Sequence, residues 1–415
     1  MRDPFPLRPI THDEFPAWAR VVTDTYGSDL SNEELANEQG VIELDRTIAA
    51  FDGAAPVAGT AAYSRELTVP GAVLPVAGVT WVGVAPTHRR RGILTSMMRK
   101  QLDDLHERGE PIAALRPSEA TIYGRYGYAS ASRGARLRCD KRAMRFRPAT
   151  DFGGGAIRTA GPEEARPLLE SVYESVRTSA VGWTDRTERF WNYRLFDHPV
   201  VRGGASALRC VLHQEPDGRT TGYSLHRFKS GKDIYGASTS TVQVVELAAV
   251  SQQAYAALWR FLAGIDLMTW IEFEGATDEP LPHLLTDERA VQSSEVDRLW
   301  ARLVDVDRAL AGRRYTTPLD LVMDVRDDFC PWNTARFRLA ADNDKATCER
   351  TGAAPDLRLS VAELGAAFLG GTTLASLGAA GLVQELRPGA LARASTAFRG
   401  IREPYYPGGW AFPAY

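Results

Sequence analysis

Along the first ~140 positions the apolar residues alternate between a period of two and a period near 3.6, which predicts strands interleaved with helices. Leu7 to Ile10 reads as a strand, and Asp13 to Tyr26 as a helix that opens after Thr11, a residue able to cap it. Strands follow at Thr47 to Phe51, Val57 to Leu67 and Leu74 to Val84, with Asp52-Gly53 and Pro70-Gly71 as turns between them. Several of these strands should pair antiparallel. From Arg91 to Arg108, Ile93, Leu94, Met97, Met98, Leu102 and Leu105 fall on one face of a helix that ends before Gly109. A buried strand, Ile112 to Leu115, comes next.

Pro148 and the run Gly153, Gly154, Gly155 punctuate the pattern as a linker and suggest a boundary near residue 150. Beyond it a strand (Ala156 to Arg158), a helix (Glu163 to Val176), a strand (Val242 to Val250) and a helix (Tyr255 to Leu262) read as a second copy of the first fold. Its turn, Ser251-Gln252-Gln253-Ala254, holds neither glycine nor arginine. A third segment starts near Ala290. It has a strand-like lead from Leu299 to Val306, strands at Leu319 to Val325 and Ala335 to Ala340, and helices at Val361 to Leu369 and Leu374 to Ala380. The expected organisation is therefore α/β over 1–150, α/β over 151–289, and α+β over 290–415.

Length supports this division, because 415 residues exceed what one hydrophobic core usually organises. Composition, 44% apolar and 24% charged, is that of a chain that folds. A formal net charge of −3 with scattered basic residues gives no footprint for nucleic acid or an anionic membrane. MRDPFPLRPI has no apolar export segment and no apolar run is long enough to span a bilayer, so a cytoplasmic location is expected. Cys139, Cys210, Cys330 and Cys348 are widely separated and read as free thiols. The seven histidines fall at no metal-ligand spacing, so no metal is expected.

The passage Val79-Thr-Trp-Val-Gly-Val-Ala-Pro-Thr-His-Arg-Arg-Arg-Gly-Ile-Leu94 carries the chemistry. An apolar strand runs through a basic, glycine-containing turn straight into the amphipathic helix. Amides of such a turn and of the first helical turn lack intrahelical acceptors and can converge on one diphosphate, aided by the helix dipole. Gly92 permits close approach of the anion, and Arg89 and Arg90 add charge-assisted contacts. A tyrosine-rich passage, Ser118-Glu-Ala-Thr-Ile-Tyr123-Gly-Arg-Tyr126-Gly-Tyr128, follows the buried strand, which should splay from the first. A phenol beside a thiolate leaving group can protonate it, while a preformed amide donor stabilises the oxyanion. Packing of a sheet edge is the plain alternative for any of the three tyrosines.

Arg89-Arg90-Arg91-Gly92-Ile93-Leu94 resembles the coenzyme A-binding pattern of the GCN5-related N-acetyltransferases (GNATs), Arg/Gln-x-x-Gly-x-Gly/Ala, with Leu94 in place of the last small residue. Two such folds and an α+β domain, with the stretches Val84 to Gly92, Ile122 to Tyr128 and Pro280 to Asp287, further resemble the Eis (enhanced intracellular survival) aminoglycoside acetyltransferases over nearly the whole chain. The resemblance implies tandem GNAT folds, the second degenerate, followed by a sterol carrier protein-like domain. It implies acetyl-CoA as co-substrate, bound by Val82, Val84, Arg89, Arg90, Gly92, Ile93 and Ser118, and a homohexamer.

It also implies roles. Tyr123 becomes the general acid, the Val82 amide the oxyanion donor, and the α-carboxylate of Tyr415 the general base. Trp410-Ala-Phe412-Pro413-Ala-Tyr415 is too aromatic to leave in water, which favours docking of that tail. Eis proteins can carry an acidic residue where Ala414 stands. On the amine side, Asp24 could hold a cationic substrate between Tyr26 and Trp81. The leading expectation is direct acetyl transfer to primary amines of aminoglycosides. Transfer to protein lysine or N-terminal amines, and a CoA- or lipid-binding protein without turnover, are the competing readings.

Overall fold

The structure, a computed structural model, describes residues 5–342 and 345–410. It divides into two compact units. The first comprises residues up to Ser132, Val181–Tyr193, and those from Asp297 onward; the second comprises Arg133–Ala180 and Arg194–Val296.

In the first unit the chain runs β1 (Leu7–Arg8), α1 (Phe15–Asp24), α2 (Asn32–Val41), β2 (Thr47–Asp52), β3 (Ala55–Val69), β4 (Ala72–Val84), α3 (Ile93–Arg108), β5 (Ile112–Leu115), α4 (Ala120–Tyr123) and β6 (Ala129–Ser130). The strands from β1 to β5 lie side by side in chain order, and Trp300–Leu303 inserts between β5 and β6. α1 covers one face, where Phe15, Trp18 and Val22 pack with Tyr63 and Trp81. α3 covers the other, where Met98, Leu102 and Leu105 pack with Ala62, Ala77 and Val79. Burial of apolar side chains on both faces is the main stabilising contribution.

α2 is the element that periodicity misses. Its sequence, NEELANEQGV, has no apolar stripe, and a capping box between Ser31 and Glu34 defines its start instead.

A second, five-stranded sheet runs in the order Ala346–Arg350, Ala335–Ala341, Leu319–Arg326, Leu357–Ser360, Gln384–Glu385. Helices Val361–Ala367, Leu374–Ala379 and Ala390–Phe398 accompany it. Its interior holds Arg313, fully buried, whose guanidinium donates to the carbonyls of Phe368 and Phe398 and lies over the rings of Tyr315 and Phe398. After the last helix, residues 399–410 form an arm. Its Tyr406 and Trp410 are buried, and Tyr405 N–H donates to the carbonyl of Val181 at 3.0 Å.

The second unit is a seven-stranded sheet in the order Val291–Asp297, Arg133–Asp140, Trp270–Gly275, Thr241–Ala249, Thr220–Lys229, Arg209–Gln214, Ala156–Ala160. The boundaries at 150 and 290 therefore do not separate the sheets. Arg133–Asp140 pairs with Trp270–Gly275, and Trp300–Leu303 pairs with β5. Gly153 to Gly155 marks a loop ahead of the strand at Ala156; strand partners are chosen by long-range pairing that local punctuation does not encode. All four cysteines are buried free thiols, and burial pushes Cys139, Cys210 and Cys348 up to about 12. No helix among the described residues is long and apolar enough to cross a membrane.

Candidate active site

β4 and β5 pair in parallel only from Ala77–Val79 to Ala113–Leu115. β5 then ends while β4 continues to Val84, so the strands part and the outer edge of β4 from Thr80 onward has no strand partner among the described residues. At the parting point β4 bulges: Gly59 faces Gly83 and Ala61 faces Thr80, leaving Trp81 and Val82 opposite Thr60 alone. Trp81 takes φ +56°, a left-handed conformation costing a non-glycine residue about 1–3 kcal/mol. Its ring offsets that cost by packing 5.1 Å from Trp18 and 5.9 Å from Phe15, with its indole N–H donating to Tyr63 at 3.3 Å.

Trp81 is fully buried and so is not a wall open to a substrate, as the sequence suggested. Its burial anchors the bulge instead. Asp24 lies exposed in the last turn of α1, outside the cleft described next, because the helix ends with that side chain turned to solvent. Tyr26 does line the cleft, and its hydroxyl donates to the Val82 carbonyl at 2.6 Å. It braces β4, a role with no signature in sequence.

The open edge of β4, the following turn and α4 enclose a cleft of ≈ 530 Å³. Val82, Val84, Arg89, Arg90, Gly92, Ile93, Ser118 and Tyr123 all line it. Arg90 (φ +63°) and Gly92 (φ +84°) both take left-handed conformations. Gly92 is the N-cap of α3 and supplies no side-chain cap, so the first amides of the helix stay open. A Cβ at Gly92 would meet nothing within 4 Å, so free space lies directly over this backbone. Open amides, a dipole end and flanking arginines fit the diphosphate of coenzyme A.

His88 also lines the cleft, held by Asp52 at 3.2 Å and Thr87 at 2.8 Å and set edge-on to Phe5 at 5.5 Å. Only folding brings Asp52 and Phe5 beside it.

The three tyrosines separate by environment. Tyr128 is 1% exposed, its hydroxyl has no hydrogen-bond partner among the described residues, and burial raises its pKa. Tyr126 packs edge-on to Phe329 at 5.0 Å and reaches Thr95 through its hydroxyl at 3.4 Å. Tyr123, ending α4, packs edge-on to Tyr128 at 6.2 Å and borders the cleft. Tyr415 lies outside the described residues. Among the described residues no group of three His, Cys, Asp or Glu side chains could hold a metal ion.

Comparison with known proteins follows this geometry. Residues 6–131 match an acetyltransferase (GNAT) domain, residues 182–307 a second acetyltransferase (GNAT) domain, and residues 306–407 a sterol carrier protein domain. An uncharacterized N-acetyltransferase of Streptomyces avermitilis is 42% identical over 407 residues, covering 97% of this chain and 99% of its own. The N-acetyltransferase Eis of Mycobacterium tuberculosis is 34% identical over 400 residues, covering 94% and 95%. The crystal structure of Eis1 from Mycobacterium abscessus superposes with a TM-score of 0.84 at 35% identity, covering 98% of this chain and 100% of that one. With two GNAT folds, a sterol carrier protein-like domain and an open, arginine-flanked turn on the same cleft as Tyr123, the chain belongs to the Eis-like family of GNAT N-acetyltransferases.

Proposed function

We propose that this N-acetyltransferase moves the acetyl group of acetyl-CoA directly to primary amines of aminoglycosides within a ternary complex. The observation that carries the reading is the single cleft joining the open N-terminus of α3 to Tyr123. The turn holds the diphosphate, Val82 offers its amide to the developing oxyanion, and the Tyr123 phenol gives its proton to the departing thiolate. Asp24, Asp29 and Glu33 stand exposed on and beside α1 and α2, which favours a polycationic acceptor approaching from that side.

An ammonium must lose a proton before it attacks, and we assign that task to the α-carboxylate of Tyr415. The reach is adequate. Trp410 packs on Gly78, where an added Cβ would sit 3.1 Å from its ring. Val82 is four strand positions further, about 13 Å, and five extended residues span up to about 17 Å. A homohexamer is the assembly we propose; the exposed Ile234, Tyr235 and Leu267 support self-association.

Thiol release with kanamycin and with a lysine peptide as acceptors tests the reading. Faster initial rates with kanamycin support it, and rates confined to the peptide overturn it. Residues added after Tyr415 should abolish turnover; undiminished rates remove the terminal carboxylate from the mechanism.

A further inference from the structure

A carboxylic acid that the proposed chemistry does not use lies buried in the first unit. Glu38 sits at the end of the second turn of α2, 6% exposed. Its Oε1 accepts a 2.8 Å hydrogen bond from the Tyr193 hydroxyl, and no cation lies within ion-pair distance among the described residues. The groups facing this cluster come from four elements. Glu34 lies one turn back on α2; Tyr63 comes from β3, with Glu43 and Arg65 nearby; Tyr193 closes the segment Val181–Tyr193; and Tyr406 comes from the arm. Arg65 is engaged elsewhere, paired with Asp185 at 2.9 Å and lying 3.8 Å over the Phe190 ring.

The segment Val181–Tyr193 connects this acid to the arm. At its start Gly182 N–H donates to Thr68 of β3 at 2.8 Å, Thr68 N–H returns a bond to Trp183 at 2.8 Å, and Val181 accepts from Tyr405 of the arm. The arm leaves no slack there, since a Cβ at Gly182 would stand 2.6 Å from the Tyr405 carbonyl oxygen. Tyr193, at the other end, donates through its hydroxyl to Glu38. Beyond Tyr405, the arm closes on itself, with Trp410 N–H donating to the Tyr406 hydroxyl at 3.0 Å and the two rings 4.8 Å apart.

We propose that Glu38 is a positioning residue for acetyl transfer: as a neutral carboxylic acid bonded to Tyr193, it fixes the bed on which residues 403–410 lie, and its ionisation unseats them. This rests in part on the reading that the arm's terminus serves the reaction. Burial, opposed by the Tyr193 bond and reinforced by Glu34, raises the pKa of Glu38 to about 8. A carboxyl whose folded pKa is raised is held in its neutral form. Seating is therefore complete at low pH and lost as pH climbs through about 8.

Three variants test it in the full chain. Glu38→Gln keeps an acceptor for Tyr193 and cannot ionise, so kcat/KM for the amine in wild type, divided by that of the variant, should hold steady below neutrality. Above about pH 8 the ratio should fall about tenfold per pH unit. Glu38→Ala should raise hydrogen exchange of amides in 403–410 at least about tenfold at pH 7 and leave KM for acetyl-CoA unchanged. Should Glu38→Ala fold poorly, Tyr193→Phe removes the same bond without a cavity and should speed the same amides.

Superimposable pH profiles for wild type and Glu38→Gln overturn the proposal, as does undisturbed exchange in both Glu38→Ala and Tyr193→Phe. Released exchange with unaltered rates overturns both the positioning role of Glu38 in acetyl transfer and the terminal carboxylate as base, whereas undisturbed exchange overturns the seating and leaves that base untouched.

Discussion

The two units each contain a strand that runs into a helix beside a parallel neighbour, and only one of these passages leaves the first helix amides without a side-chain cap. In the first unit, β4 reaches α3 through eight residues, with Arg90 and Gly92 left-handed and a glycine N-cap that leaves the helix amides open. In the second, Thr241–Ala249 reaches the helix Gln252–Gly264 through Val250 and Ser251, and the Ser251 side chain accepts from Ala254 N–H at 3.1 Å. That serine satisfies a donor that a phosphate would need. Both strands also outrun their parallel partner, since Thr241–Ala249 pairs with Trp270–Gly275 only from Thr241 to Val244. A splayed strand pair thus comes with the fold, whereas open helix amides depend on what caps the helix.

The sharpest way to break this contrast is to leave the turn intact and remove the acid. Tyr123→Phe should lower kcat about 100-fold or more while KM for acetyl-CoA stays within about twofold, read from thiol release. A joint loss of kcat and acetyl-CoA affinity would instead make Tyr123 part of the packing around the cleft. Next in size, Gly92→Ala forces a Cβ into a left-handed position worth about 1–2 kcal/mol. KM for acetyl-CoA should rise about tenfold with kcat nearly kept. An unchanged KM would show that the diphosphate does not rest on that backbone.

The smallest effect belongs to the second unit. Ser251→Ala should cost about 1 kcal/mol in unfolding free energy, measured by denaturant titration, and leave turnover untouched. A change in acetyl-CoA kinetics there would end the description of that passage as structural.

The regular elements were largely legible. The apolar positions of α3, from Ile93 to Leu105, and the long hairpin of β3 and β4 announce themselves by period, and the structure reproduces both within about two residues at their ends. The turn between β4 and α3 was legible as a break between a strand and a helix, marked by Pro86 and Gly92, and the structure places Arg89, Arg90 and Gly92 on the cleft. α2 was not, since its lone structural signal is the Ser31–Glu34 box, and with it went Glu38. Trp81 was misplaced because an aromatic next to a cofactor strand looks like a pocket wall until a bulge turns it into the core.

By itself the sequence determined most of the segments that become strands and helices and the basic, glycine-containing turn between β4 and α3, because periodicity, capping and turn chemistry act over a few neighbouring residues. Only the tertiary structure decided that Arg133–Asp140 joins the second sheet and Trp300–Leu303 the first, that Tyr26 braces Val82, and that Tyr193 meets Glu38 across 155 positions of chain. These pairings depend on the whole core closing at once, and burial creates their energetics: desolvation raises the Glu38 carboxyl above the usual carboxylate range, against the opposing hydrogen bond from Tyr193.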